Sequence, residues 1–306
     1  PTAVGKTKLS LSLAEAIGGE IISADSMQVY RHMDIGSAKI SPSGMQGIPH
    51  HMIDILEPWG PLNVVIFQER CRECLEGIYE RGHIPIVTSG TGFYIQALLK
   101  DIDFTENEEN TAYRKKLEQL AEEKGAEYLH GMLQQVDEEA AEKIHANNIK
   151  RTIRALEFFE LTGKKISEHN TEEGEKKCAY QSCYFVLNDD REKLYARIEQ
   201  RIDEMLAEGL VEEVRALQKM GCTRNLVSMQ GLGYKEILAY LDGETDLETA
   251  VEVLKRDTRH FAKRQLTWFR REKDVYWVDK EKFDYDEEKM LSYMLSVLKE
   301  TGVLKA

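Results

Sequence analysis

Apolar positions fall into two alternating periods along the first hundred residues, and that alternation predicts the fold class. Leu9, Leu13, Ala16 and Ile17 recur at near-helical spacing and stop at Gly18-Gly19. Glu20-Ile21-Ile22-Ser23-Ala24 then reads as a short β-prone run ending at Asp25. A helical period follows from about Val64 to Arg81, and His83-Ile84-Pro85-Ile86-Val87-Thr88 is a second β-prone run ending at Ser89-Gly90-Thr91-Gly92. Strands alternating with helices predict an α/β fold, a parallel sheet covered by helices on both faces, with its ligand site at the carboxyl ends of the strands. Asp25 and Thr91 then share one mouth with the loop that opens the first helix.

From Thr105 to Tyr180 the β-branched runs vanish, and helical patterns succeed one another with acidic punctuation at Glu106, Glu108, Glu109 and Asp137-Glu138-Glu139. Residues 105–180 are therefore expected to form an all-helical insertion domain between two stretches of the α/β core, 1–104 and 181–306. The last insertion helix starts near Asn147-Asn148, both good caps. It carries Ile149, Ile153, Leu156 and Phe159 on one face until Gly163, with Lys150, Arg151 and Arg154 on the polar side. Tyr180 to Leu187 reads as a return strand. Helices follow at about 190–207, 209–219, 228–241 and 246–272, then a strand over Val275–Val278 and a closing helix near 286–299.

Composition narrows the classes. With 42% hydrophobic and 31% charged residues over 306 positions, the chain suits one large or two modest folded domains. No run approaches the roughly 18 apolar residues of a membrane span, so no membrane partner is expected. Five cysteines, with Cys71 and Cys74 inside a helical pattern and Cys178 and Cys183 lacking a second ligand pair, suit neither a disulfide framework nor a zinc site. A reducing, cytoplasmic setting fits. His50-His51 is assigned a loop or packing role. The net charge of −13 argues against general nucleic-acid affinity, but Lys255 to Lys273 gathers eight basic residues against Asp257 and Glu272. Val251, Leu254, Phe261 and Trp268 give that helix an apolar stripe, leaving Arg256, Arg259, Lys263 and Arg270 to track a phosphate backbone or form an ordinary solvated face.

The chain opens on Pro1-Thr2-Ala3-Val4-Gly5-Lys6-Thr7, the last seven positions of the phosphate-binding pattern G-x-x-x-x-G-K-[ST]. A glycine and an apolar strand are expected to precede Pro1. In this pattern backbone amides curl round a phosphate at a helix N-terminus, a lysine reaches its outer oxygens and a Thr hydroxyl holds Mg²⁺. Pro1 to Thr7 are thus candidate phosphate ligands, with Thr7 the metal ligand. Ser23 to Tyr30 sets an acid, a hydroxyl and an amide within four residues: Asp25 suits a general base or metal ligand, or equally an Asx turn. Arg197 and Arg201, one helical turn apart, suit a diphosphate clamp or a solvated ion-pair face with Glu204 and Glu208.

Taken in order, these pieces resemble the tRNA dimethylallyltransferase family over nearly the whole chain. They are Pro1 to Thr7, Ser23 to Tyr30 with Met33-Asp-Ile-Gly36, Pro49-His-His51 before Ile53-Asp-Ile55, and Gly90-Thr-Gly-Phe-Tyr94. Lys150 to Arg154, Arg197 to Arg201, Gly233 to Glu236 and Ala262 to Arg270 complete the set. Ser89 departs from it, standing where the family often has glycine. The resemblance implies a P-loop NTPase-like core whose loop holds dimethylallyl diphosphate, and alkyl transfer to N6 of the adenine 3′ to the anticodon in tRNAs that read codons beginning with U. It implies that Asp25, Thr91 and Arg201 are catalytic and that Mg²⁺ is the cofactor. It assigns tRNA contacts to Asp25, Ser26, Met27, Gln28 and Thr91, to Arg114, Lys150, Arg151, Thr152, Ile153 and Arg154, to Gln230, Gly231, Leu232, Gly233, Tyr234 and Lys235, and to Arg259 and Lys263. The insertion would grip the anticodon stem-loop, and the expected state is a monomer. A P-loop small-metabolite kinase, a non-catalytic RNA-binding ATPase module and an adenylate isopentenyltransferase are the competing readings.

Overall fold

The computed structural model describes residues 1–104 and 112–304, so the predicted acidic cluster Glu106, Glu108 and Glu109 lies outside the described residues. The chain forms two compact units, Pro1–Leu98 with Tyr180–Ala306, and Leu99–Ala179.

The first unit begins with α1 (Lys6–Ile17), β1 (Gly19–Ser23), β2 (His50–His51), α2 (Val64–Glu80), β3 (Ile84–Thr88) and α3 (Gly92–Leu99). The second carries α4 (Ala112–Lys124), α5 (Ala126–Val136), α6 (Glu138–Lys143), α7 (Ile149–Thr162) and α8 (Ile166–Glu175). The chain then returns to the first through β4 (Tyr184–Asn188), α9 (Arg191–Glu208), α10 (Leu210–Lys219), α11 (Tyr234–Leu241), α12 (Leu247–Phe269), β5 (Val275–Asp279) and α13 (Glu287–Glu300).

Among the described residues all paired strands are parallel, in a three-stranded sheet of order β2-β1-β3 and a two-stranded sheet β4-β5. Successive β1 side chains point to opposite faces, and both faces are covered. Ile21 joins Leu11 and Ala14 of α1, while Ile22 joins Phe67, Cys71 and Ile78 of α2. The other apolar edge of α1, Leu9 and Leu13, packs with Val278 of β5 and with Met290, Met294 and Leu298 of α13.

Three expectations change in the first unit. The span 228–241 is not one helix: a single 3₁₀ turn at Ser228–Gln230 precedes α11. Gly233 has φ +92°, and a Cβ on Gly231 would lie 2.5 Å from the Met27 Sδ, so the glycines both break the helix and admit Met27. On α12 the buried stripe is Ala250, Leu254, Ala262, Gln265 and Phe269, a partial rotation from the expected one that puts a glutamine in the core. His50 and His51 form a strand: the Ile21 amide donates to the Pro49 carbonyl, and His51 Nε2 donates to the buried Glu20 carboxylate at 2.6 Å.

Glu20 also accepts Arg81 Nε at 2.9 Å and Nη2 at 2.7 Å, and His83 Nδ1 at 2.6 Å. The Arg81 bonds hold its pKa well below the usual carboxylate range against the opposing effect of burial, with both histidines assisting. Losing the charge by Glu20→Gln is expected to cost about 1–3 kcal/mol at neutral pH, read by chemical unfolding. A depressed carboxylate stabilises above its ordinary pKa and loses that contribution as pH falls through the folded value, so the gap from wild type should narrow below about pH 4.

In the second unit Leu117, Leu129, Leu133, Ile153 and Leu156 form the core. The buried Asp137 caps α6 through the Ala140 amide and accepts both the amide and hydroxyl of Ser167, tying α8 to it. On α7 Phe158, not Phe159, is buried.

Candidate active site

The Pro1–Thr7 loop turns through left-handed backbone at Ala3 (φ 56°) and Gly5 (φ 96°) and opens α1 directly at Lys6. Lys6 Nζ folds back to donate to the Pro1 carbonyl at 2.7 Å. Burial pushes its ammonium down to about 8, with Asp25 opposing and Arg201 adding to the shift. Arg197 donates to the Ala3 carbonyl at 3.0 Å and pairs with the buried Asp189; Lys280 reaches the Val4 carbonyl at 3.4 Å. The loop is thereby ringed with positive charge. Arg197, held by Asp189, braces it directly, so the predicted pair of clamping arginines divides: of the two, Arg201 alone lines the cavity.

That cavity, of about 470 Å³, lies beside the loop and is lined by Thr2, Ala3, Asp25, Ser26, Met27, Thr91 and Arg201. Gly36, Gln230, Gly231, Leu232, Gly233, Lys235 and Arg264 close it further out. Asp25 follows β1 and Thr91 follows β3, so both stand at carboxyl ends of neighbouring parallel strands. One Asp25 oxygen, Oδ1, accepts the Met27 amide at 2.8 Å, which is the Asx turn foreseen as the plainer alternative. The turn fixes the carboxylate without consuming it, because a carboxylate has acceptor capacity for several bonds. Burial lowers the Arg201 pKa, opposed by Asp25, Glu204 and Glu208, and among the described residues its guanidinium has no hydrogen bond or ion pair.

The remaining assigned residues separate by position. Gln28 is outside the cavity lining: its Oε1 accepts the Ser23 hydroxyl at 2.7 Å and its Nε2 donates to the Ser37 and Ala38 carbonyls, so it braces the wall. Tyr234 is fully buried and donates its hydroxyl to Glu213 at 2.8 Å. Arg259 pairs with Glu199, Lys255 with Asp203 and Arg256 with Asp257, so the first half of the basic helix is largely neutralised. Lys263 lines a separate groove of about 450 Å³ with His260, Arg264, Thr267, Trp268 and Arg271. In the second unit Lys150 and Arg151 are exposed, Thr152 and Ile153 are buried, and Arg154 is half-buried with its pKa lowered by burial. Arg114 donates to the buried Glu157. Thr152, Ile153 and Tyr234 thus have core side chains, and as ligands would offer only backbone.

Three residues shape the site without having been singled out. Gln265, buried on α12, accepts the Thr2 amide and donates to the Gly90 carbonyl, each at 2.7 Å. Glu213 of α10 accepts the successive amides of Asp34, Ile35 and Gly36 and so holds the cavity wall. Lys280, at the Val4 carbonyl, completes the set. Only the family motif running through Gln265 gave any signal, since each role depends on a partner remote in sequence.

Parallel strands, a glycine turn opening a helix, and a carboxylate and a guanidinium in one cavity at the strand ends define an α/β enzyme of the sheet-mouth type. The chain belongs to the IPP transferase family, whose model matches residues 28–272. It is 59% identical over 305 residues to the tRNA dimethylallyltransferase of Lachnoclostridium phytofermentans, spanning 100% of this chain and 97% of that one. It is 49% identical over 303 residues to the tRNA dimethylallyltransferase of Carboxydothermus hydrogenoformans, spanning 99% and 96%. Among solved structures, the full-length tRNA isopentenylpyrophosphate transferase of Bacillus halodurans matches with TM-score 0.73 at 41% identity, over 100% of this chain and 96% of that one. A eukaryotic dimethylallyltransferase acting on tRNA matches with TM-score 0.79 at 31% identity, over 91% and 71%.

Proposed function

We propose that the protein transfers a dimethylallyl group from dimethylallyl diphosphate to N6 of the adenine 3′-adjacent to the anticodon, in tRNAs that read codons beginning with U. The observation that carries this reading is the single cavity in which Asp25, Thr91 and Arg201 meet Thr2 and Ala3 of the first loop. The N6 nitrogen forms a bond to the allylic carbon, the carbon–oxygen bond to diphosphate breaks, and an N6 proton passes to the Asp25 carboxylate. Lys6, Arg201 and the loop amides face the negative charge that builds on the departing oxygens, the kind of stabilisation that is often the largest catalytic contribution. An aromatic amine is a poor nucleophile, so its alignment on the allylic carbon matters as much as its deprotonation. The base enters the cavity unstacked, as in other enzymes that act on a nucleobase.

The donor set suits Mg²⁺ in a particular way. Among the described residues no three His, Cys, Asp or Glu side chains stand together as a metal cage. The Thr7 hydroxyl at the start of α1 would hold a Mg²⁺. When bound, it would neutralise charge on the diphosphate.

In this reading tRNA is contacted by the C-terminal half of α12 and the turn after it, where Lys263, Arg264 and Arg271 line the groove, and, on the second unit taken by itself, by exposed Lys150 and Arg151. The protein acts as a monomer in the cytoplasm on this reading; among the described residues no helix is long and apolar enough to cross a membrane.

The test supplies Mg²⁺, radiolabelled dimethylallyl diphosphate and unmodified tRNA, with AMP and ATP as rival acceptors. Label should enter tRNA alone. Label in AMP would support the adenylate isopentenyltransferase reading, and ATP turnover with a small-molecule acceptor would support the kinase. Lys263→Ala with Arg271→Ala should weaken tRNA binding and lower the slope of log K against log salt by about 1–2, since each lost phosphate contact releases fewer counterions. An unchanged slope would remove this face from the RNA interface.

A further inference from the structure

We infer that the Ser89 hydroxyl is a positioning group that sets the distance between Asp25 and Thr91; this rests on the proposed catalytic assignment of those two residues. Ser89 Oγ donates to the Ala24 carbonyl at 2.6 Å and accepts the Thr91 amide at 2.7 Å. Ala24 immediately precedes Asp25, so one hydroxyl joins the backbones that carry both side chains.

The place of this bond in the sheet explains its consequence. The β1–β3 ladder ends at Ser23 and Thr88, after which the Ala24 amide still donates to the Thr88 carbonyl at 2.8 Å. In a continuing parallel ladder the Ala24 carbonyl would accept the amide of Gly90. Here the Ser89 side chain supplies the proton instead, and the backbone is free to leave the sheet and begin α3. A hydroxyl has a single proton, so the Thr91 carbonyl at 3.4 Å is a weaker alternative acceptor. That carbonyl in turn accepts the Tyr94 and Ile95 amides, anchoring the start of α3. A glycine at this place would offer no such link. A side chain thus fixes the separation of the backbones that carry Asp25 and Thr91.

Steady-state transfer from labelled dimethylallyl diphosphate to an anticodon stem-loop tests the inference with the full chain. Ser89→Ala should lower kcat about tenfold with both KM values within about twofold, because misalignment by a fraction of an ångström acts on the reacting geometry rather than on binding. Ser89→Thr, which keeps the hydroxyl, should restore most of the rate. In a Thr91→Val background Ser89→Ala should cost little more, as expected of two groups acting through one arrangement. A wild-type kcat in Ser89→Ala, or an undiminished loss on top of Thr91→Val, overturns the inference. Asp25→Asn in the same assay separates the two ideas. Normal turnover there would end the catalytic assignment, whereas an inactive Asp25→Asn beside an unaffected Ser89→Ala would end the Ser89 role alone.

Discussion

Asp25→Asn is expected to reduce kcat for tRNA prenylation by roughly 10²- to 10⁴-fold, the range that a positioned general base contributes, while the Kd for the anticodon stem-loop stays close to wild type. The choice of asparagine matters. Asp25 Oδ1 accepts the Met27 amide at 2.8 Å, and an amide oxygen can still take that bond, so the turn into Ser26 and Met27 survives the substitution. What disappears is the negative charge facing Lys6 and Arg201, together with the proton acceptor. Asp25→Ala removes the turn as well, so a larger loss in Ala than in Asn would measure the share of the effect that comes from orientation. Rapid-quench turnover alongside filter binding distinguishes these outcomes. Near-normal turnover in Asp25→Asn would assign the carboxylate a purely structural task, the Asx turn that the local sequence equally allowed.

What the sequence made legible has a physical limit. α1, β1, α2 and β3 were readable because both faces of a parallel sheet are buried, which leaves a strong apolar signal in each strand and a helical period between them. β2 was not, since two residues, His50 and His51, carry no period at all. Within the site, the residues at strand ends and in the first loop follow from local pattern. Those that hold them there do not: Gln265 meets Thr2 across 263 positions and Glu213 meets Asp34 across 179. That Lys150 to Arg154 do not share one exposed face has a different reason. A helix turns through about 100° per residue, so exposed Lys150 and Arg151 are followed at once by buried Thr152 and Ile153. Ion pairing is equally hidden from composition, which counted Lys255, Arg256 and Arg259 as available charge although Asp203, Asp257 and Glu199 neutralise them.

Lys6→Met should lower kcat/KM for the prenyl donor by roughly 10²-fold, through loss of a charge that strengthens its grip as the leaving group gains negative charge. The pH dependence identifies the residue. Burial, augmented by Arg201 and opposed by Asp25, holds the free-enzyme ammonium at about 8, and a diphosphate favours its protonated form. Donor affinity of the wild type should therefore fall as pH rises past about 8, by at most about tenfold per pH unit for one linked proton, while Lys6→Met shows no such inflection. Protein stability must move the other way. The unfolded lysine titrates near 10.4, so between about pH 8 and 10 the unfolded chain binds the extra proton and rising pH favours the folded state. Measured as wild type minus Lys6→Met, which cancels the other titrating groups, unfolding free energy should climb over the same window in which donor affinity drops. A lysine on the exposed surface, titrating near its ordinary value in both states, would produce neither trend, and the opposed slopes tie the buried ammonium to the binding of the diphosphate.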